Sequence, residues 1–268
     1  MLKSYLTHHA YTLLHDVDQK NKSKALLRAC FLLLCFIAGT WELSITKFEV
    51  PPLIELGKDA DLSCQYELAD DDDESSVVVK WFWTPALSPS YDKILIYQRI
   101  SGRAPMTFRR RIFGPIDIKE NDTISLMSIH PLSSGVYECA VSSYKEDARK
   151  NETLTVISGG TGPVIKLNEI IEDSTETKKK NELLKIECSA EDVAPPPNLG
   201  VSINGHNVKT VTFIEDVNHD ALYKATANVI VSGDHILNGD NEVKCEMSFF
   251  QTNDTVLPWV AITKFVVI

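Results

Sequence analysis

The sequence predicts an all-β chain of two tandem antiparallel β-sandwiches behind an N-terminal signal segment. Three observations predict it. From Ser44 onward, short runs alternate apolar with polar side chains between turn residues, and no stretch after Thr40 repeats with a helical period. The break Ser158-Gly-Gly-Thr-Gly-Pro163 divides those runs into two series. Four cysteines lie beyond residue 40, two in each series.

The signal segment rests on charge and hydropathy. Lys20, Lys22, Lys24 and Arg28 precede the apolar run Ala29–Gly39, which is shorter than the ~20 residues that span a bilayer. Ala38, Gly39 and Thr40 are small, as a signal peptidase requires. Residues 1–40 therefore read as a signal peptide. The long basic region before the core also suits an uncleaved signal anchor. Without these residues the chain carries 22 basic and 35 acidic side chains, a net charge of −13. So acidic a surface resists self-association and offers no basic face for nucleic acid.

Cysteine usage agrees with export. Of the six cysteines, Cys30 and Cys35 lie inside the apolar core and leave with it. Cys64, Cys139, Cys188 and Cys245 remain, an even number, as an oxidising compartment favours. Zinc ligands come in close pairs, and these four are far apart. Three N-x-T sequons, at Asn121, Asn151 and Asn253, are candidate glycosylation sites.

The first series of strand-like runs is Ser44–Val50, Ala60–Tyr66, Val77–Trp83, Ile94–Arg99, Thr123–Ile129, Val136–Ser142 and Thr153–Ile157. The second is Val164–Ile171, Leu183–Ser189, Leu199–Ile203, Val208–Ile214, Leu222–Val231, Glu242–Phe249 and Ala261–Val267. The expected organisation is a domain over 41–157, a linker over 158–163 and a second domain over 164–268.

The first series holds a specific constellation. Cys64 sits in Leu62-Ser-Cys-Gln-Tyr66, Trp81 follows in Val79-Lys-Trp-Phe82, and Ser134-Gly-Val-Tyr-Glu-Cys139 closes the set. This set resembles the immunoglobulin superfamily. The resemblance implies a Cys64–Cys139 bridge between facing sheets, Trp81 packed on it, and Tyr137 tying its hydroxyl to the corner before its strand. The separation of 75 residues leaves room for C′ and C″ strands, so the first domain is expected to be variable-type. Ser133 stands where the family often has an acid, which puts the usual buried Arg–Asp pair of that corner in doubt.

In the second series Cys188 and Cys245 are 57 residues apart, which suits a shorter C2 or constant-type sandwich with its own bridge. Val201 stands where tryptophan is expected, and Val243 replaces the corner tyrosine. Leu199 and Ile203 would have to repack around the loss. Val78-Val-Lys-Trp-Phe82, Ser133–Cys139 and Asn198-Leu-Gly-Val-Ser-Ile-Asn-Gly205 together resemble the beaten-path group, two-domain arthropod proteins of neuronal and cell-surface recognition. That group usually has tryptophan at the place of Val201.

These resemblances imply an extracellular protein-recognition module, secreted or on the outer face of the plasma membrane, acting in adhesion or axon guidance. The alternative is a soluble immune or pathogen-binding protein of the same fold. The expected partner is an extracellular or cell-surface protein, with another immunoglobulin-superfamily member among the candidates. Membrane contact is expected only if a signal anchor is retained. The apolar run Val256–Ile268 resembles a lipid-anchor signal, but Lys264 interrupts it and the second sandwich needs it as a closing strand.

No catalytic residue, cofactor or metal site is expected, and the chain is not read as an enzyme. G-x-S-x-G, H-E-x-x-H and P-loop patterns are missing. The acidic run Asp70–Glu74 does not supply the folded oxygen cage of a calcium site and reads as a solvated loop. Arg109–Arg111 and Lys178–Lys180 read as a soluble edge and a turn.

The binding face follows from alternation. If Trp81 points inward, Val79 and Trp83 do too, and Lys80 and Phe82 point outward. Cys139 inward puts Glu138 outward on strand F. Ile94 and Ile96 inward put Leu95 and Tyr97 outward on strand C′. The candidate partner-binding set on the CC′FG face is therefore Phe82, Leu95 and Tyr97, rimmed by Lys80 and Glu138.

Overall fold

β-Branched and aromatic side chains at alternate positions suit a pleated strand, and burial of one face selects the register in which strands pair. The computed structural model describes residues 42–70, 72–87, 93–108, 114–170, 183–216, 218–231, 236–249 and 259–267. Residues 1–40, Asn253, Arg109–Arg111 and Lys178–Lys180 lie outside the described residues.

The first sandwich comprises β1 (Ser44–Glu49), β2 (Leu53–Glu55), β3 (Ala60–Glu67), β4 (Val78–Pro85), β5 (Ile94–Ile100), β6 (Met106–Thr107), β7 (Ile116–Ile118), β8 (Ile124–Leu126), β9 (Gly135–Ser142) and β10 (Asp147–Gly159). One sheet runs β1-β3-β8-β7; the facing sheet runs β2-β10-β9-β4-β5-β6, with β2 parallel to β10. β5 and β6 are the two additional strands that mark a variable-type sandwich. Leu62, Val79, Trp83, Ile124 and Leu154 are fully buried between the sheets. Cys64 and Cys139 join β3 to β9 with Cα atoms 6.4 Å apart. Phe48 stacks on Trp81 at 5.8 Å.

The second sandwich comprises β11 (Val164–Ile170), β12 (Leu183–Ala194), β13 (Asn198–Ile203), β14 (His206–Val208), β15 (Thr212–Asp216), β16 (Tyr223–Val231), β17 (Gly239–Ser248) and β18 (Trp259–Val267). Its sheets run β11-β12-β16-β15 and β14-β13-β17-β18. This is the constant-type arrangement with a short β14 added. Cys188 and Cys245 join β12 to β17, Cα atoms 6.2 Å apart.

Two expectations are corrected here. The run Val208–Ile214 is two strands, because the chain leaves one sheet for the other: β14 pairs with β13 and β15 with β16. Threonine hydroxyls anchor the crossing. Thr210 Oγ1 donates to Leu199 O at 3.0 Å, and Thr212 Oγ1 accepts from Leu199 N at 2.9 Å. The second correction concerns Ser158 and Gly159, read as linker. They extend β10 and pair with Ala194 and Val193 of β12. Ser158 Oγ donates to Asp192 O at 2.7 Å, and Thr161 N donates to Glu191 O at 3.0 Å. Glycine serves close approach here. At Gly160, φ +52°, a Cβ would fall on the Glu191 carbonyl oxygen; at Gly159 it would meet the Trp259 indole at 2.7 Å.

Candidate protein-interaction face

The outer face of β5-β4-β9-β10 is set by the inward residues. Val79, Trp81 and Trp83 alternate on β4 and are fully buried, which turns Lys80 and Phe82 outward, as expected. The corner that fixes β9 also forms: Tyr137 Oη donates to Ser133 O at 2.7 Å, and Trp83 Nε1 donates to the same oxygen at 3.1 Å. Burial raises the Tyr137 hydroxyl pKa well above its ordinary value.

Cross-strand register places the outward side chains in rows. Leu95, Phe82, Glu138 and Asn151 lie side by side on β5, β4, β9 and β10. The adjacent row holds Met106, Gln98, Lys80, Ala140 and Arg149. Phe82, Leu95 and Lys80 are half-buried, whereas Met106 is exposed. Four of the five residues expected on this face therefore share it.

Tyr97 does not, and this is a correction. Trp81 faces Tyr97 but Phe82 faces Leu95, so Ile96 is the extra residue of a β-bulge. The bulge sends two successive side chains into the core, with Ile96 0% and Tyr97 1% exposed. Tyr97 Oη donates to Asp122 Oδ1 at 2.8 Å. Burial, and then the Asp122 carboxylate, push its pKa far above the usual tyrosine value. Arg99 grips the same carboxylate with Nε at 2.5 Å and Nη2 at 2.6 Å, and its Nη2 also donates to Tyr66 Oη at 2.8 Å. The Asp122 hydrogen bonds raise the Arg99 pKa. An Arg–Asp pair with a buried carboxylate and a half-buried guanidinium thus exists in this sandwich, on different residues from the corner pair that Ser133 put in doubt. Asp122 owes its place to the β7–β8 turn, where Asn121 and Asp122 both take positive φ.

Glu138 is the unusual member of the face. It points away from the core yet is only 6% exposed. Lys93 Nζ pairs with its Oε2, and Arg149 Nη1 lies 3.5 Å from its Oε1. Oε1 has no hydrogen bond of normal geometry among the described residues; its ion pair with the half-exposed Arg149 guanidinium is long. An incoming donor with better geometry than Arg149 can therefore strengthen the hydrogen bonding of this oxygen. Lys93, Arg149 and Met106 were not singled out from the sequence, because their place on this face depends on how the residue before β5, β10 and the short β6 pair across the sheet.

Asn121 and Asn151 are exposed, Asn121 at the β7–β8 turn and Asn151 on β10. Among the described residues no cluster of side chains could hold a metal ion, and no helix is long and apolar enough to cross a membrane.

Comparison with known proteins agrees with this architecture. Residues 48–157 match the immunoglobulin V-set domain model. Bovine butyrophilin superposes with a TM-score of 0.60 at 13% identity, over 84% of this chain and 98% of that one. The full ectodomain of mouse nectin-like molecule 4 gives a TM-score of 0.48 at 18% identity, over 80% of this chain and 65% of that one. No curated protein sequence matches the chain. The described chain folds as two immunoglobulin-like sandwiches in tandem, and the first of them matches the V-set domain model.

Proposed function

We propose that this chain is an extracellular recognition protein that binds another protein through the outer face of β5-β4-β9-β10, and that it is not an enzyme. The observation that carries the reading is Glu138. Its carboxylate is nearly buried on an outward face, with one oxygen held only by a long ion pair to Arg149, so it has capacity to receive a better-placed donor from a partner. Phe82 and Leu95 beside it supply an apolar centre, and Lys80, Lys93 and Arg149 supply a charged rim. Export, cleavage near residue 40 and glycan attachment at the sequons belong to the same reading. The beaten-path resemblance narrows it to adhesion or axon guidance.

The test is a pairwise binding array of the secreted chain, with and without enzymatic removal of its N-glycans, against individually purified extracellular domains. Once a partner is found, Phe82→Ala and Glu138→Gln should each weaken binding by about 1–3 kcal/mol. Lys244→Ala, in the second sandwich, should leave binding unchanged. If both face variants stay folded and bind like the parent chain, this face is not the site. Tyr97 is not a test residue, because its substitution would damage the core.

A further inference from the structure

The sequon Asn151-Glu-Thr153 lies on the face just described, not beside it. Asn151 is the register partner of Glu138 and ends the row that begins with Leu95 and Phe82. Strand alternation puts Thr153, its hydroxyl-bearing residue, on the same outward side, opposite the exposed Val136. Both Asn151 and Thr153 are exposed. Neighbouring strands are about 4.8 Å apart, so Asn151 stands roughly 14 Å from the Leu95 end of the row. Asn121 is placed differently: it belongs to the turn between β7 and β8, in the facing sheet.

We infer that Asn151 accepts an N-linked glycan that lies over this face and closes it, so that occupancy of one asparagine sets whether the face is open to a protein. The inference rests on the recognition reading for what the face does, and on export for the chemistry. The donor is an oligosaccharide carried on a polyisoprenyl diphosphate. The Asn151 amide nitrogen bonds to the anomeric carbon and gives up one proton. The sugar–phosphate bond breaks, and the lipid diphosphate leaves. The product is bulky and strongly hydrated. Attached beside Glu138, it competes for the same space as a partner that covers Phe82 and Lys80. Glycosylated and unglycosylated molecules then differ in function with no change in fold, since Asn151 contributes nothing to the core.

The test needs no partner. Protein secreted from animal-cell culture is peptide-mapped at Asn151, and its lysines are acetylated with an N-hydroxysuccinimide ester of acetic acid. Asn151→Gln and Thr153→Val remove the sequon in two independent ways, and both leave Asn121 intact. The expected result is a glycan on Asn151 in the parent protein, with Lys80 and Lys93 acetylated several-fold faster in both variants. Exposed Lys58, on the β2–β3 connection, should react equally in all three. An unmodified Asn151, or equal rates at Lys80 and Lys93 with and without the glycan, overturns the inference. If the glycan shields these lysines but the uncovered variants bind no protein in the array, shielding stands and the recognition reading fails.

Discussion

The two sandwiches solve one packing problem with different residues. Each encloses a disulfide between facing sheets, with Cα separations of 6.4 and 6.2 Å. In the first, Trp81 on β4 covers the bridge, stacks on Phe48 and donates its indole N–H to Asp122 O at 3.3 Å. In the second, the equivalent place on β13 belongs to Val201, only 2% exposed. Leu199, Ile203, Val243 and Met247 belong to the same buried cluster, and Trp259 and Phe265 of β18 pack against it. Trp259 meets Phe249 edge to face at 5.3 Å. The aromatic volume has moved from a central strand to an edge strand. What the bridge requires is filled volume around it; tryptophan at one position is a single way to provide it.

The largest expected effect tests that contrast directly. Trp81→Ala opens a cavity that one large side chain filled, and should destabilise the protein by about 3–5 kcal/mol. Val201→Ala removes two methyl groups from a layer shared among several residues, and should cost about 2 kcal/mol. Denaturant unfolding of the whole chain measures the cost, and hydrogen exchange on β4 and β9 or on β13 and β17 locates it. Equal costs would mean that the second sandwich depends on Val201 as the first does on Trp81.

The reverse substitution sharpens the comparison. If the second core is already filled from β18, Val201→Trp has nowhere to go and should destabilise by about 1–3 kcal/mol through overpacking. An unchanged or raised unfolding midpoint would show instead that the site of Val201 is underfilled.

The same contrast explains what was legible in the sequence. Cys64, Trp81, Tyr137 and Cys139 could be read because each makes a contact that no other residue in its sandwich replaces. The outward set Lys80 and Phe82 followed from strict alternation on β4. Tyr97 failed because alternation stops at a bulge, and nothing local in Ile94-Leu-Ile-Tyr97 marks which residue is extra. The Arg99–Asp122 pair was hidden for a related reason. Its partners meet across 23 residues, through a turn whose backbone the sequence does not specify. Glycines 159 and 160 misled in the opposite direction. Composition marks them as a break, whereas they permit β10 to close on β12.

The smallest expected effect is a pH dependence, and it concerns a feature that the sandwiches share. In the first, Lys119 Nζ donates to both Asp61 oxygens, at 2.7 and 2.8 Å, and Ser125 Oγ donates at 2.6 Å. The Lys119 hydrogen bond, then that of Ser125, hold the Asp61 carboxyl below its usual range. In the second, the Lys224 ammonium lowers Glu191 in the same direction across 2.9 Å. A carboxyl lowered on folding stabilises the protein fully above its unfolded value, near 3.9 for aspartate. That contribution is lost as pH falls through the lower folded value. Asp61 is exposed, and solvent screening limits its share to about 0.5 kcal/mol. Lys119→Ala should therefore raise the Asp61 titration midpoint, followed by carboxyl-carbon NMR, and leave the unfolding midpoint at neutral pH almost unmoved. The midpoint should stay below that of an unpaired aspartate, because Ser125 still donates. If Lys119→Ala instead destabilises the protein as strongly as Val201→Ala, an exposed ion pair on the β1-β3-β8-β7 sheet counts for as much as volume around a bridge, and the packing contrast loses its primacy.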